Sequence, residues 1–153
     1  MLLVGILSAV AFSRFANPDI YNEALLVNKL QSYLRLAQQV ALSNASSSNT
    51  LSSNTSANSA SQLKIEANNN QWKISVFNDA HSRVHQLSMQ SAIALDEQEI
   101  YDTLVLNFSE NGDLVEVQLG AVTKAVSKSI ALQIGTASIC IAPTGYSYEG
   151  ACI

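Results

Sequence analysis

"QLKIEANNNQWKISVF", residues 62–77, is the stretch on which the fold turns. Apolar side chains alternate with polar ones on both sides of Asn68-Asn69-Asn70: Leu63 and Ile65 before it, Trp72, Ile74 and Val76 after it. A period of two marks a half-buried strand, and an asparagine-rich centre is turn chemistry, so the stretch reads as a β-hairpin. C-terminal to it the same period persists.

"RVHQLSM" (83–89) and "SAIAL" (91–95) are shorter strand candidates. "TLVLNF" (103–108) and "DLVEVQL" (113–119) flank Glu110-Asn111-Gly112-Asp113, where Asn-Gly is the strongest short-range hairpin signal in the chain. "SIALQIG" (129–135) and "SICIAP" (138–143) follow around Gly135-Thr136-Ala137, and "TGYSYEGACI" (144–153) closes the chain. Pro143-Thr144-Gly145 reads as a turn. Seven or eight short strands in succession, with no helix between them, imply an antiparallel sheet domain over residues 62–153.

N-terminal to the hairpin the pattern changes. Residues 44–61, "NASSSNTLSSNTSANSAS", are almost wholly Ser, Asn and Thr and carry too little apolar surface to offset the cost of ordering, so they read as a flexible loop. Residues 17–43 read as a helix. Asn17 caps it, Pro18 fits its first position and Asp19 complements the positive end of its dipole. Leu26, Leu30, Tyr33, Leu34, Ala37, Val40 and Ala41 recur at three- and four-residue steps, a stripe wide enough to pack on a sheet. Asn28, Lys29, Gln31, Ser32, Arg35, Gln38 and Gln39 fill the other side. The fold class is therefore α+β, with the helix covering the sheet.

Residues 1–16 begin "MLLVGILSAVAFSRF". Leu2, Leu3, Val4, Gly5, Ile6, Leu7, Ala9, Val10, Ala11 and Phe12 make an apolar run that Arg14 ends. As a helix this run is about 18 Å long, against the roughly 30 Å of a bilayer core. It is too short to span and too apolar for water. Pro18 allows either a break there or one long helix from residue 1 to about 43 that bends there.

Composition excludes several functions. The 153 residues hold 48% hydrophobic and 13% charged side chains, with a net charge of −4 and no Lys/Arg cluster, which argues against a nucleic-acid partner. Cys140 and Cys152 are so close to one end that they suit a disulfide-closed loop in an oxidising compartment; two buried free thiols are the alternative. His81 and His85 lie near Asp79, but no third metal ligand stands at a recognised spacing, and a solvated pair is the better reading. Asp96, Glu97, Glu99 and Asp102 form an acidic cluster that suits a solvated turn better than acid–base chemistry or calcium. Tyr101, Tyr146 and Tyr148 offer a stacking surface or ordinary packing. No nucleophile–base arrangement and no glycine-rich phosphate cradle is present, so the chain reads as a non-enzyme needing no cofactor and no metal.

"GILSAVAFSRF", Gly5 to Phe15, resembles the later part of the N-terminal helix of type IV pilins and type II secretion pseudopilins, with Ser13 where the family usually has proline. "NKLQSYLRLAQQVALSNAS" is similar to the second half of that long helix in the minor-pilin group that includes type II secretion H-like pseudopilins. "LVLNFSENGDL" and "SIALQIGTASICIAPTGYSYEG" resemble segments of the β-domain in that group. With the terminal cysteine pair, the likeness is nearest to minor pilins of mannose-sensitive haemagglutinin (MSHA) pilus biogenesis.

This resemblance implies a pilin-like fold and a non-enzymatic subunit of a pilus, held in the inner membrane by its N-terminal helix with a periplasmic head. Its implied partners are other pilin or pseudopilin subunits and the inner-membrane assembly platform, and after assembly it reaches the cell surface. The cleavage site and the acidic registration residue are expected upstream of Met1, so the chain as given is expected to fold at its head without assembling. Where some relatives carry arginines after the last Thr-Gly, Tyr146 and Tyr148 stand here, and no nucleic acid is expected. A pseudopilin of a secretion system, or a soluble periplasmic adhesive β-domain behind a signal peptide, are the alternatives.

Overall fold

The computed structural model describes residues 18–45, 59–68, 71–78, 83–89, 93–95, 98–99 and 103–153. The apolar opening, and with it the question of a break or bend at Pro18, lies outside these residues, as does the Ser/Asn-rich segment from 46 to 58. Helix α1 runs Pro18–Ala45, and the elements that follow it among the described residues are all strands. These are β1 (Ser61–Asn68), β2 (Gln71–Asn78), β3 (Arg83–Met89), β4 (Ile93–Leu95), β5 (Gln98–Glu99), β6 (Thr103–Phe108), β7 (Leu114–Leu119), β8 (Val122–Ala125), β9 (Ile130–Ile134), β10 (Ala137–Ile141) and β11 (Ser147–Glu149). The class is α+β and every strand pairing is antiparallel.

The strands form two sheets rather than one. The first has six strands in the order β3-β2-β1-β6-β7-β8, and the second has five in the order β11-β10-β9-β4-β5. The described residues thus hold eleven strands against the seven or eight expected. The additions are β5, β8 and β11, of two, four and three residues. All four residues of β8 are exposed, so burial imposes no alternation on them. Such strands take their conformation from a neighbouring strand and leave no periodic trace of their own.

The hairpin of residues 62–77 sits at the centre of the first sheet. Leu63 faces Val76 and Ile65 faces Ile74 across β1 and β2, and Leu63 and Ile65 face Leu106 and Leu104 across β1 and β6. All six are fully buried. In the second sheet Ile130, Leu132 and Ile134 of β9 alternate inward and pair with Ile141, Ile139 and Ala137 of β10. These rows join the apolar stripe of α1 in one continuous core. The helix touches β1, β2 and β6 of one sheet and β9, β10 and β11 of the other, so it bridges both.

The ends of the segment between helix and sheet are firmly held. Ser61 Oγ, fully buried, donates to the carbonyl of Ala37 at 2.6 Å, and Asn44 Nδ2 donates to the carbonyl of Ala60 at 2.8 Å. Ala60 N–H in turn donates to Phe108 O at 2.7 Å. Of the residues read from sequence as part of the flexible loop, 44 and 45 therefore belong to the helix end and Ser61 to the first strand, with Ala60 held immediately before it. Ala37 and Ala41, on this stretch of the helix, are fully buried.

Candidate functional site

The helix face is built as the stripe requires. Leu26, Leu30, Tyr33, Leu34, Ala37 and Ala41 are buried, and Val40 is half-buried against the same core. Val27, which the sequence stripe left out, is buried too. The centre line is Val27-Leu30-Leu34-Ala37-Ala41, with Leu26, Tyr33 and Val40 seven residues apart beside it, so the true stripe is one residue wider. Burial pushes the Tyr33 phenol above its ordinary pKa, because the phenolate would lose solvation there.

Gln38 departs from its expected place among the solvent-facing polar residues. Its Nε2 donates to the carbonyl of Gly112, 3.2 Å away, and to that of Thr144, 3.3 Å away. Gly112 lies in the Asn-Gly turn between β6 and β7, and Thr144 in the turn between β10 and β11. One helix side chain thus ties together a turn from each sheet. Leu114 N–H, at the start of β7, donates to the carbonyl of Pro143 at 2.8 Å and joins the same two turns through backbone. Gly145 packs so closely here that a Cβ on it would collide with the Gly112 carbonyl oxygen and the Gln38 amide. Its φ of +75° is one that L side chains rarely adopt. Leu42, the next turn along the helix, covers Gly112 while remaining 52% exposed.

The second feature is the closing surface. Cys140 and Cys152 form a disulfide with a Cα–Cα distance of 5.1 Å, and no free cysteine remains. Cys140 is fully buried in β10, between Ala131 of β9 and Tyr148 of β11. The bridge folds residues 150–153 back onto the side of the second sheet that points away from the core. Tyr146 and Tyr148 stand on that side with ring centroids 6.1 Å apart and planes tilted by 31°. The Tyr148 hydroxyl accepts from the Ile153 N–H at 3.3 Å, while Tyr146 is 62% exposed. One tyrosine anchors the tail and the other faces solvent.

The remaining candidates do not assemble into a site in the described residues. His85 lies in β3 and Glu99 in β5, whereas Asp79, His81, Asp96, Glu97, Tyr101 and Asp102 lie outside the described set. No group of three His, Cys, Asp or Glu among the described residues is placed to hold a metal ion. No described helix is long and apolar enough to cross a membrane. On the outward side of the first sheet Lys64 pairs with Glu66 at 2.7 Å, and Lys73 reaches the same carboxylate at 4.0 Å. These half-exposed pairs are worth about 0–1 kcal/mol each and read as a solvated face.

What the geometry builds well is attachment: a helix fixed to two sheets at one junction, and a tail fixed to one sheet by a disulfide. Gln38 was hidden from sequence reasoning because its partners lie 74 and 106 residues away. The only local hint was the pair of glycine turns it would serve. In comparisons with known proteins, no family model, no curated protein and no solved structure matches this chain.

Proposed function

We propose that this chain is a minor pilin or pseudopilin, a non-enzymatic subunit that enters a type IV, MSHA-like filament through its N-terminal helix. The observation that carries the reading is how α1 is used. From Leu26 to Ala41 its apolar stripe is consumed by the two sheets of the head. In sequence, the helix is preceded by the apolar run Leu2–Phe12, which calls for lipid or the helices of like subunits. On this reading the chain is divided between a head and an anchor. The disulfide supports a head that matures in an oxidising compartment, which suits a periplasmic domain of an inner-membrane protein that later reaches the cell surface.

The partners on this reading are other pilin subunits and the inner-membrane assembly platform, with no cofactor and no nucleic acid. Deleting the gene and scoring surface pili beside exoprotein secretion tests it. Loss or shortening of pili with normal secretion is the expected result. Lost secretion with normal pili assigns the subunit to a secretion pseudopilus, and two unchanged phenotypes contradict both roles.

A further inference from the structure

The turn that Gln38 grips carries a chemistry that attachment does not use. Asn111 is exposed and is followed by glycine, the one residue whose lack of a side chain leaves its amide nitrogen open to attack the neighbouring Asn carboxamide. In that reaction a bond forms between Gly112 N and Asn111 Cγ, the Cγ–Nδ2 bond breaks, and ammonia leaves with the proton shed by Gly112 N. Water then opens the succinimide at either carbonyl. One product is α-linked aspartate; the other is isoaspartate, which carries an extra methylene in the main chain.

We propose that Asn111–Gly112 is a covalent modification site, at which deamidation to isoaspartate releases the junction between α1 and the two sheets. Three contacts set its rate. Gly112 N–H donates to the carbonyl of Ser109 at 2.9 Å, and Asn111 N–H donates to Ser109 Oγ at 3.3 Å. The Gly112 carbonyl accepts from Gln38 on the helix. The attacking nitrogen is therefore held on Ser109 until the turn opens, and opening requires Gln38 to let go. Modification is gated by the junction it then disrupts.

Its consequence follows from the frame around it. Ser109 N–H bonds to Asp113 O at 2.8 Å, and Leu114 N–H to Pro143 O at 2.8 Å, so both ends of the turn are pinned. An extra backbone atom between those pins displaces the Gly112 carbonyl from Gln38 and from the close packing against Gly145. Aspartate in the ordinary linkage leaves the backbone path intact. The site stands apart from the pilin reading, since it depends only on the head.

The test is ageing of the disulfide-bonded full-length chain in mild detergent at mildly alkaline pH. Isoaspartate at residue 111 is read by peptide mapping and by methylation with an isoaspartyl methyltransferase. The folded chain should form it far more slowly than the unfolded chain, and Gln38→Ala should raise the folded rate roughly threefold or more. The aged chain should melt several degrees lower, whereas Asn111→Asp should melt with fresh wild type and Asn111→Gln should not age. Equal rates in folded and unfolded chain, no effect of Gln38→Ala, or an isoaspartate form that melts with fresh wild type would each overturn the proposal.

Discussion

Two tight turns of the first sheet share the same backbone device and have opposite fates. The β6–β7 turn at Gly112 and the β7–β8 turn at Gly120 both place glycine at positive φ, +79° and +56°. Gly112 is buried under Leu42, bonded to the helix through Gln38, and pressed against Gly145 of the other sheet. Gly120 has nothing within 4 Å of where a Cβ would stand, and the strand that follows it is exposed throughout. Both turns use a left-handed glycine, although the first spans residues 109–113 and the second only Gly120 and Ala121. The difference lies in what long-range partners do with the turn, and it divides the head into a locked end and a free edge.

The largest expected effect breaks the locked end directly. Gly145→Ala forces a Cβ into the Gly112 carbonyl and the Gln38 amide at a backbone angle alanine disfavours. It should cost about 3–5 kcal/mol, from overpacking and left-handed strain together, read as a lower denaturant midpoint. Replacing Cys140 and Cys152 by serine should cost about 2–4 kcal/mol and open the C-terminal loop to protease, while leaving the Gly112 junction formed. Gln38→Ala removes both amide bonds and should cost about 1–2 kcal/mol by equilibrium unfolding.

At the free edge the same kind of change should do less. Gly120→Ala meets only the backbone penalty and should cost about 1 kcal/mol, so the Gly145→Ala to Gly120→Ala difference measures the junction itself. The smallest effect tests burial under the helix. Tyr33 stays protonated in the folded chain to higher pH than in the unfolded chain, so stability is complete below pH 10 and declines above it as the unfolded phenol ionises first. In Tyr33→Phe that part of the alkaline decline should vanish in urea titrations between neutral and alkaline pH.

Much of this architecture was legible because it is periodic. The alternation Leu63, Ile65 / Trp72, Ile74, Val76 and the Asn-Gly turn after Phe108 place β1, β2, β6 and β7 without further information. The three- and four-residue steps from Leu26 to Ala41 likewise mark the buried helix face. What was hidden is whatever periodicity does not carry. Division into two sheets depends on which strands pair: β4 and β5 leave β3 and β6, which flank them in sequence, in the first sheet, and β4 joins β9. Strand β8 has no buried face to announce it, and Gln38 is a polar residue at a polar position whose partners are brought in only by the finished fold.

The measurement that tests the proposed function most directly is the location of the tagged protein, expressed from its own gene with the codons upstream of Met1 included, in cells that make pili. It is predicted in the inner-membrane fraction and in filaments sheared from the surface. Leu7→Lys with Val10→Lys should remove it from both, while the Cys140–Cys152 bridge still forms in the head. Quantitative release of the wild-type chain by osmotic shock, with none in membranes or sheared filaments, would contradict the account.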